Sequence, residues 1–431
     1  MTIEITKFSH DGRGVARDAA GKTIFIDGVL PGERVTYAII KNKRRFSEAK
    51  VLDILEPAAQ RVVPKCPHFL YCGGCAQQHI STEAQLAAKQ HSVLEQLQHF
   101  GGAQPANILP PLTGPIWGYR NKARLGVRYV IKKEKVLVGF RERQSNYLAD
   151  INSCAILHPK IGLLIAPLRE LLADLTVYQE IAQIEVAVGD TKMALILRNL
   201  VTLPDADQDK LIDFARLHDF DLYLQPGNAE SVYKVWPADN HQRLSYTLPA
   251  YNLTMAFHPL DFTQINPALN RAMLAQALEL LSLNAQDRVL DLFCGLGNFS
   301  LPMARVAQHV TGVEGSANMV ERAYENARNN TISNVSFYAA DLTLEQQQAV
   351  WAQQSYTKVL LDPPRSGAAE ILPLLDKMGI DIILYVSCNP ATLARDSGIL
   401  TKQYGYKLQN IGIMDMFPHT MHVETMALFK R

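Results

Sequence analysis

The sequence predicts an α/β protein in which a Rossmann-like domain follows a small β-barrel and a central α+β region. Residues 1–60 contain short β-branched and aromatic runs separated by Gly and Pro turns, which is typical of a small OB-like barrel. Residues 61–262 mix strand patterns with one or two helices. Within residues 263–431, short apolar runs alternate with amphipathic helices, the pattern of a mainly parallel sheet.

Composition narrows the class of protein further. The 43 basic and 42 acidic residues nearly cancel, so any nucleic-acid surface must come from local clustering of charge. No run approaches the roughly 18 apolar residues of a membrane helix, and we expect no membrane partner. The N-terminus has neither a signal-peptide nor a transit-peptide pattern, which predicts a cytoplasmic protein. In a reducing compartment its six cysteines are expected to be metal ligands or catalytic thiols rather than disulfides.

The C-terminal domain is expected to contain seven strands. The last two apolar runs have no helix-sized gap between them, so they should form an antiparallel hairpin at the end of an otherwise parallel sheet. The seven runs are residues 288–293, 309–314, 335–338, 358–362, 382–388, 407–413 and 424–429.

Two further elements precede this domain. A helix is predicted over residues 81–100, with Ser81 or Thr82 as its cap and an apolar face that includes Val93 and Leu97. Its membership of the central or the C-terminal domain is left open by the sequence. A β-hairpin is predicted around the turn at Gly189 and Asp190.

A glycine turn after the first strand of the C-terminal domain predicts a nucleotide-type cofactor. Gly295 and Gly297 lie between a strand and a helix, where they allow a sharp turn and close approach of the backbone to a ligand. Glu314 ends the next strand, where a carboxylate can accept hydrogen bonds from both ribose hydroxyls of an adenosine. Ser300 stands where a third glycine would complete the dinucleotide motif, yet these features alone leave NAD, and hence a dehydrogenase, possible.

Two later strand ends bring polar and nucleophilic groups to the same edge. Asp362 ends the fourth strand before two prolines, and its carboxylate could accept the imide N–H of a uracil. Cys388 ends the fifth strand. Ligands of doubly wound sheets bind at this edge, so both side chains are expected close to the cofactor turn.

A thiol at this position suggests covalent catalysis on a pyrimidine. Addition of a thiolate to carbon 6 of uracil makes carbon 5 nucleophilic enough to take a methyl group from a sulfonium donor. A base must then remove the carbon 5 proton, and Glu424 is the candidate, with His422 as the alternative. Because a free thiol is mostly protonated at neutral pH, we expect a lowered pKa of Cys388 or a proton acceptor beside it. Cys294, inside the glycine turn, is predicted to be a packing residue.

Four other cysteines predict a metal site. Cys66, Cys72 and Cys75 are bunched within ten residues, and Cys154 can join them from further along the chain. Zinc also takes four thiolates, and His68 or His79 could replace one of them, so spacing leaves iron–sulfur and zinc open.

A cationic ribbon between Tyr119 and Arg143 predicts a nucleic-acid surface. It carries nine cations against two acids, and Tyr119, Tyr129 and Phe140 are interleaved with them. Cations neutralise phosphates and aromatic rings stack on unpaired bases, as in readers of single-stranded RNA.

Taken together, these residues resemble the RNA uracil-5 methyltransferase family over essentially the whole chain, and in particular its ribosomal-RNA members. The resemblance implies an N-terminal TRAM domain at residues 1–60, a central iron–sulfur domain at 61–262 and a methyltransferase domain at 263–431. It also implies S-adenosylmethionine as cofactor and a 4Fe-4S cluster held by Cys66, Cys72, Cys75 and Cys154. By the same resemblance Cys388 is the nucleophile, Glu424 the base, and the residues lining the cofactor site are Gln264, Phe293, Asn298, Glu314, Asp341 and Asp362.

The expected reaction is methylation of carbon 5 of one uridine in 23S ribosomal RNA by a monomer that does not act on DNA. Two alternatives have the same sequence features. One is methylation of a different uridine in ribosomal or transfer RNA, and the other is a non-catalytic RNA-binding assembly factor.

Overall fold

The first six strands form one sheet that closes into a barrel. A computed structural model of the chain describes residues 1–9, 11–239 and 242–431. The strands are β1 (Thr2–Glu4), β2 (Lys7–Phe8), β3 (Gly14–Arg17), β4 (Thr23–Asp27), β5 (Arg34–Asn42) and β6 (Phe46–Glu56), in the order β1-β5-β6-β4-β3-β2. Because β1 and β2 are consecutive parts of one segment and lie at opposite ends of this order, the sheet curls round on itself. Its interior is filled by apolar side chains, among them Ile5, Ile24 and Ile26, and the predicted barrel is confirmed.

The segment after the barrel packs against the C-terminal sheet. Helix α1 (Thr82–Gln96) is capped by Ser81, whose hydroxyl accepts a hydrogen bond from the Ala84 amide, and continues as a π-helical turn (Leu97–Gly101). Val93 and Leu97 are buried in an apolar core of the C-terminal domain. Strand β7 (Asn107–Ile108) adds to the edge of the sheet in that domain. The question left open by the sequence is therefore answered, because α1 and β7 pack with the C-terminal domain.

The central region is built on a second six-stranded sheet. Its strands are β8 (Lys122–Val130), β9 (Lys135–Gly139), β10 (Ile181–Val188), β11 (Met193–Asn199), β12 (Phe220–Leu224) and β13 (Tyr233–Trp236), in the order β13-β12-β11-β10-β8-β9. Helices α2 (Pro159–Gly162), α3 (Ile165–Ala173) and α4 (Asp205–His218) accompany it. Strands β10 and β11 pair antiparallel, which confirms the predicted hairpin. A separate hairpin of β14 (Leu244–Leu248) and β15 (Leu253–Phe257) leads into the last domain.

The C-terminal domain is an eight-stranded sheet with helices. Strand β7 is one of the eight, and the other seven are β16 (Arg288–Leu292), β17 (His309–Glu314), β18 (Val335–Ala339), β19 (Lys358–Leu361), β20 (Ile382–Ser387), β21 (Lys407–Met414) and β22 (Glu424–Lys430). The helices are α5 (Pro267–Leu281), α6 (Ser300–Ala304), α7 (Ala317–Asn329), α8 (Leu372–Lys377) and α9 (Pro390–Lys402). The strand order is β18-β17-β16-β19-β20-β22-β21-β7.

This topology decides where the functional groups meet. Strands β16 to β20 are parallel to one another, and all seven predicted runs are strands. Strand β22 lies antiparallel between β20 and β21, so its first residue comes to the edge where the parallel strands end. Among the described residues, no helix combines the length and the apolar character that crossing a membrane requires.

Candidate active site

A large cavity opens at the carboxyl edge of the C-terminal sheet. Its volume is about 1270 Å³, which is large enough to hold a nucleotide-sized ligand together with a second group. Every catalytic and cofactor-binding residue expected from the sequence lines this cavity: Gln264, Phe293, Asn298, Glu314, Asp341, Asp362, Cys388 and Glu424. The fold therefore brings together side chains that are spread over 161 sequence positions between Gln264 and Glu424.

The glycine turn has the backbone conformation that its composition predicts. Phe293, Gly295 and Gly297 all have positive φ angles, of 66°, 55° and 91°. The Gly295 amide donates a hydrogen bond to Glu314 Oε2 (3.1 Å), and the Ser316 amide donates to Glu314 Oε1 (3.0 Å). Each carboxylate oxygen keeps a lone pair for a further donor, so Glu314 is fixed in place and can still accept from a ligand.

Asn298 is held by two residues that the sequence did not indicate. Its Oδ1 accepts from the Tyr246 hydroxyl (2.8 Å) and from Asn270 Nδ2 (3.0 Å), while its Nδ2 donates to Asn270 Oδ1 (2.9 Å). The amide of Asn298 is thus engaged with β14 and α5, although the residue lines the cavity. Tyr246 and Asn270 come from elements distant in sequence, and no local motif marks them.

Asp341 and Gln264 lie on the walls of the same cavity. The Asp341 carboxylate accepts from the hydroxyl and the amide of Thr343 (2.7 and 2.9 Å), and these bonds lower its pKa. Gln264 comes from the segment between β15 and α5. Phe262, two residues earlier, is 71% exposed at the mouth of the cavity, an unusual position for a large apolar ring.

Two carboxyl groups near the thiol have raised pKa values. Burial raises the pKa of Asp362 to about 7. Burial is the main cause that raises the pKa of Glu424 to about 8, and the neighbouring Asp362 carboxylate adds to it. The Arg365 charge acts in the opposite direction. Glu424 is only 8% exposed. Both groups can therefore exchange protons near neutral pH, which an ordinary surface carboxylate cannot do.

Cys388 corrects one expectation from the sequence. We expected a lowered pKa or a nearby proton acceptor, but burial and the carboxylates of Glu424 and Asp362 raise the pKa of this thiol, opposed by Arg365. Two carboxyl groups at this edge disfavour a third negative charge on the thiol, and the sequence does not reveal that they lie so near it. Of the two expectations, only the proton acceptor remains, and both carboxyl groups are candidates for it.

His422 and Phe417 complete this side of the cavity. Arg365 Nη2 lies 3.5 Å from His422 Nδ1. Burial, and then the Arg365 charge, lower the pKa of His422, which favours the neutral form of its ring. Phe417 packs against the His422 ring with centroids 5.6 Å apart. Glu424 and His422, the two candidate bases, thus line one cavity with Cys388.

The four remaining candidate cysteines lie around a second, smaller cavity. Cys66, Cys72, Cys75 and Cys154 line it, together with mostly apolar side chains such as Phe140 and Ile151. The Gly74 amide donates to Cys72 Sγ (3.4 Å). Burial raises the pKa of Cys72 to about 11 and that of Cys75 to about 12, and the nearby thiols add to both shifts. Four soft ligands in an apolar pocket are a donor set that suits a cluster. Within the described ranges, no group of three or more His, Cys, Asp or Glu side chains has the geometry to hold a metal ion.

The cationic ribbon is less available to RNA than its composition indicates. Arg124 pairs with Glu185 (2.9 Å), Lys135 with Asp150 (2.8 Å) and Arg143 with Asp27 (2.6 Å). Lys122 is partly buried and donates to the Asp261 carbonyl. Arg128 and Lys132 are exposed. Much of the local positive charge is therefore neutralised within the chain, and its role in RNA binding stays a prediction.

The sheet order, the glycine turn after β16 and the acidic residue at the end of β17 define the class of S-adenosylmethionine-dependent methyltransferases. Residues 83–431 match the family described as tRNA (Uracil-5-)-methyltransferase, and residues 1–52 match the TRAM domain. The chain belongs to this RNA uracil-5 methyltransferase family and is an enzyme.

Several proteins are similar to this chain over its whole length. The 23S rRNA (uracil(1939)-C(5))-methyltransferase RlmD of Legionella pneumophila strain Lens is 52% identical, over 100% of this chain and 97% of the relative. The RlmD of Hahella chejuensis is also 52% identical, with the same coverage. The crystal structure of Pyrococcus abyssi tRNA (uracil-54, C5)-methyltransferase with S-adenosyl-L-homocysteine has a TM-score of 0.74 at 22% identity and covers 100% of both chains. That likeness establishes a shared fold.

Proposed function

We propose that this enzyme transfers a methyl group from S-adenosylmethionine to carbon 5 of one uridine in 23S ribosomal RNA, the uridine numbered 1939 in the names of its relatives. The relatives at about 50% identity over the full chain support the choice of RNA. The observation that carries the proposed chemistry is the single cavity shared by the glycine turn, Cys388, Asp362 and Glu424.

The cofactor would lie along the glycine turn. Glu314 would accept from ribose hydroxyls, Asp341 from the adenine amine, and Gln264 and Phe293 would contact the remainder of the molecule. When bound, S-adenosylmethionine supplies an electrophilic methyl group. The chain's own contribution would be to hold that methyl beside the thiol.

The covalent step follows from the acid groups around Cys388. The thiol proton passes to Asp362, whose pKa of about 7 suits an acceptor at neutral pH. The sulfur then bonds to carbon 6 of the uracil, and the electrons of the carbon 5–carbon 6 double bond take up the methyl group at carbon 5. Glu424 next removes the carbon 5 proton, the double bond re-forms, and the carbon–sulfur bond breaks to release the thiolate.

Substitution of the thiol tests this scheme. Cys388→Ala is expected to lower turnover by roughly four orders of magnitude or more, because it removes the nucleophile that adds to carbon 6. RNA affinity should stay near the wild-type value. Transcripts carrying 5-fluorouridine should form a stable protein–RNA cross-link with the wild type and none with Cys388→Ala.

A normal methylation rate in Cys388→Ala, or the absence of any cross-link in the wild type, would refute the covalent scheme. Glu424→Gln serves as the matched control, since it should still form the adduct and fail to resolve it. Mapping of methyl groups in 23S ribosomal RNA and transfer RNA from a deletion strain decides between the two kinds of substrate.

We further propose that Cys66, Cys72, Cys75 and Cys154 hold a 4Fe-4S cluster with a structural role. The shared cavity and the Gly74 amide directed at Cys72 Sγ support this assignment. Protein purified without oxygen should contain about four iron atoms per chain and absorb in the visible range, and Cys72→Ser should lose both. A colourless, zinc-loaded preparation would refute the cluster.

A further inference from the structure

The loop between β21 and β22, residues 415–423, is held by the segment that links the barrel to the central region. This loop brings Phe417 and His422 to the cavity and ends at Glu424. Residues between positions 76 and 119 contact it at several points. Neither the sheet nor the proposed reaction accounts for these contacts.

His419 is the centre of this attachment. Its amide donates to Gln85 Oε1 (3.0 Å), and its carbonyl accepts from the amides of Ala76 (2.8 Å) and Gln77 (3.0 Å). Its ring stacks on Trp117 with centroids 4.0 Å apart. His419 is 4% exposed and has a φ of +66°, a conformation that costs energy for any residue with a side chain. Such a conformation persists only where the surroundings enforce it.

A buried ion pair fixes the start of the loop. Lys89 Nζ donates to Asp415 Oδ1 (2.6 Å) and to the Phe417 carbonyl (3.1 Å). Lys89 and Asp415 are each 1% exposed. Buried ion pairs contribute little net stability, because desolvation offsets their attraction, but they strongly favour one arrangement of the groups around them. The Tyr119 hydroxyl adds a bond to the Pro418 carbonyl (3.1 Å).

We propose that Gln85 and Lys89 of helix α1 are positioning residues for Glu424. They hold the 415–423 loop so that the Glu424 carboxylate is aligned for removal of the carbon 5 proton, the step in which the carbon–sulfur bond to Cys388 breaks. This inference rests on the proposed function. Other contacts hold the backbone at Cys388, where the Asn389 amide donates to the Ser387 hydroxyl (3.1 Å) at the junction of β20 and α9. Loosening the loop should therefore slow resolution of the adduct and leave its formation intact.

The test uses the full-length enzyme and two variants of α1. In Lys89→Met and Gln85→Leu, adduct formation and the KM for RNA should stay at wild-type values, while kcat falls about tenfold as the base is misaligned. Quenched single-turnover reactions should then contain more covalent protein–RNA adduct relative to methylated product. Hydrogen exchange at the amides of the 415–423 loop should be faster than in the wild type.

A matched buried pair provides the control. Lys358 Nζ bonds to Asp287 Oδ2 (2.8 Å) near the start of β19, at the opposite edge of the sheet from the cavity. Lys358→Met should lower thermal stability without changing the ratio of adduct to product. If Lys89→Met folds poorly, Lys89→Met with Asp415→Leu removes both charges and preserves the test, because no lone charge stays buried.

Two results would overturn the inference. One is a wild-type ratio of adduct to product in both α1 variants, and the other is an equal rise of that ratio in Lys358→Met. Failure of the proposed function can be told apart from failure of this inference. If the proposed function is wrong, the wild type itself forms no cross-link with 5-fluorouridine transcripts. Hydrogen exchange in the 415–423 loop would still show whether Gln85 and Lys89 hold it.

Discussion

Burial sets the protonation of the side chains around Cys388. Asp362 and Glu424 have pKa values of about 7 and about 8, and the main cause in each case is the loss of solvent. The thiol pKa is raised as well. Cations beside a thiol favour its ionised form, whereas here burial and two carboxyl groups disfavour it. Because oxidation of a cysteine follows its thiolate character, we expect Cys388 to be oxidised more slowly than a free thiol.

Glu424 should also make stability depend on pH. Its pKa in the folded protein, about 8, lies above the ordinary value of 4.5, so the folded state binds more protons than the unfolded state between these values. Stability is then greatest below this window and falls as the pH rises through it. Glu424→Gln should be more stable than the wild type above about pH 8, by a few kcal/mol at most.

Urea unfolding of both proteins at about pH 6 and about pH 9 measures this effect. The difference between variant and wild type should grow with pH. A difference of the same size at both pH values would mean that the carboxyl group is not buried as described.

At the scale of elements, the parallel strand ends explain why so much of the site could be predicted. Glu314 ends one strand of the sheet, and Asp362 and Cys388 each directly follow the end of another, so all three come to the same edge. The sequence did not predict the roles of Tyr246 and Asn270, because they contact Asn298 from β14 and α5. Contacts between elements that are distant in the chain leave no periodic pattern in the sequence. The burial of Lys89 was not predicted either, because a lysine on an amphipathic helix is normally exposed.

The bond between Tyr246 and Asn298 predicts a modest effect on cofactor binding. Tyr246→Phe removes the hydroxyl that orients the Asn298 amide, at a cost of about 1 kcal/mol. We expect S-adenosylhomocysteine to bind about fivefold more weakly in isothermal titration, with RNA affinity unchanged. Tyr251→Phe, on the same hairpin region but outside the cavity lining, is the control and should bind normally. Equal affinity in both variants would mean that Asn298 does not need this partner.

At the scale of the whole molecule, polar contacts join the barrel to the central region. Arg143 pairs with Asp27 (2.6 Å), and Gln144 Nε2 donates to the other Asp27 oxygen (2.8 Å). Partly buried contacts of this kind orient two domains without fusing their cores. The barrel and the central sheet also have separate apolar cores.

Asp27→Ala should therefore loosen the barrel from the rest of the enzyme. The loss of these bonds is worth about 1–2 kcal/mol, and limited proteolysis near residues 57–65 should become faster. Asp53→Ala is the control, because Asp53 bonds to Thr36 within the barrel (3.1 Å). Equal cleavage rates in the two variants would show that Asp27 does not fix the barrel.

Strand β7 has a consequence for how the chain folds during synthesis. Asn107 pairs with Asn410, so the edge of the catalytic sheet joins residues from the first and last quarters of the chain. The barrel and the central sheet consist of residues that leave the ribosome early, and each can fold as a unit while translation continues. The catalytic sheet cannot close until almost the last residue is made, because contacts of such long sequence separation form late. The newly made enzyme therefore gains its barrel and its central sheet before it gains an assembled active site.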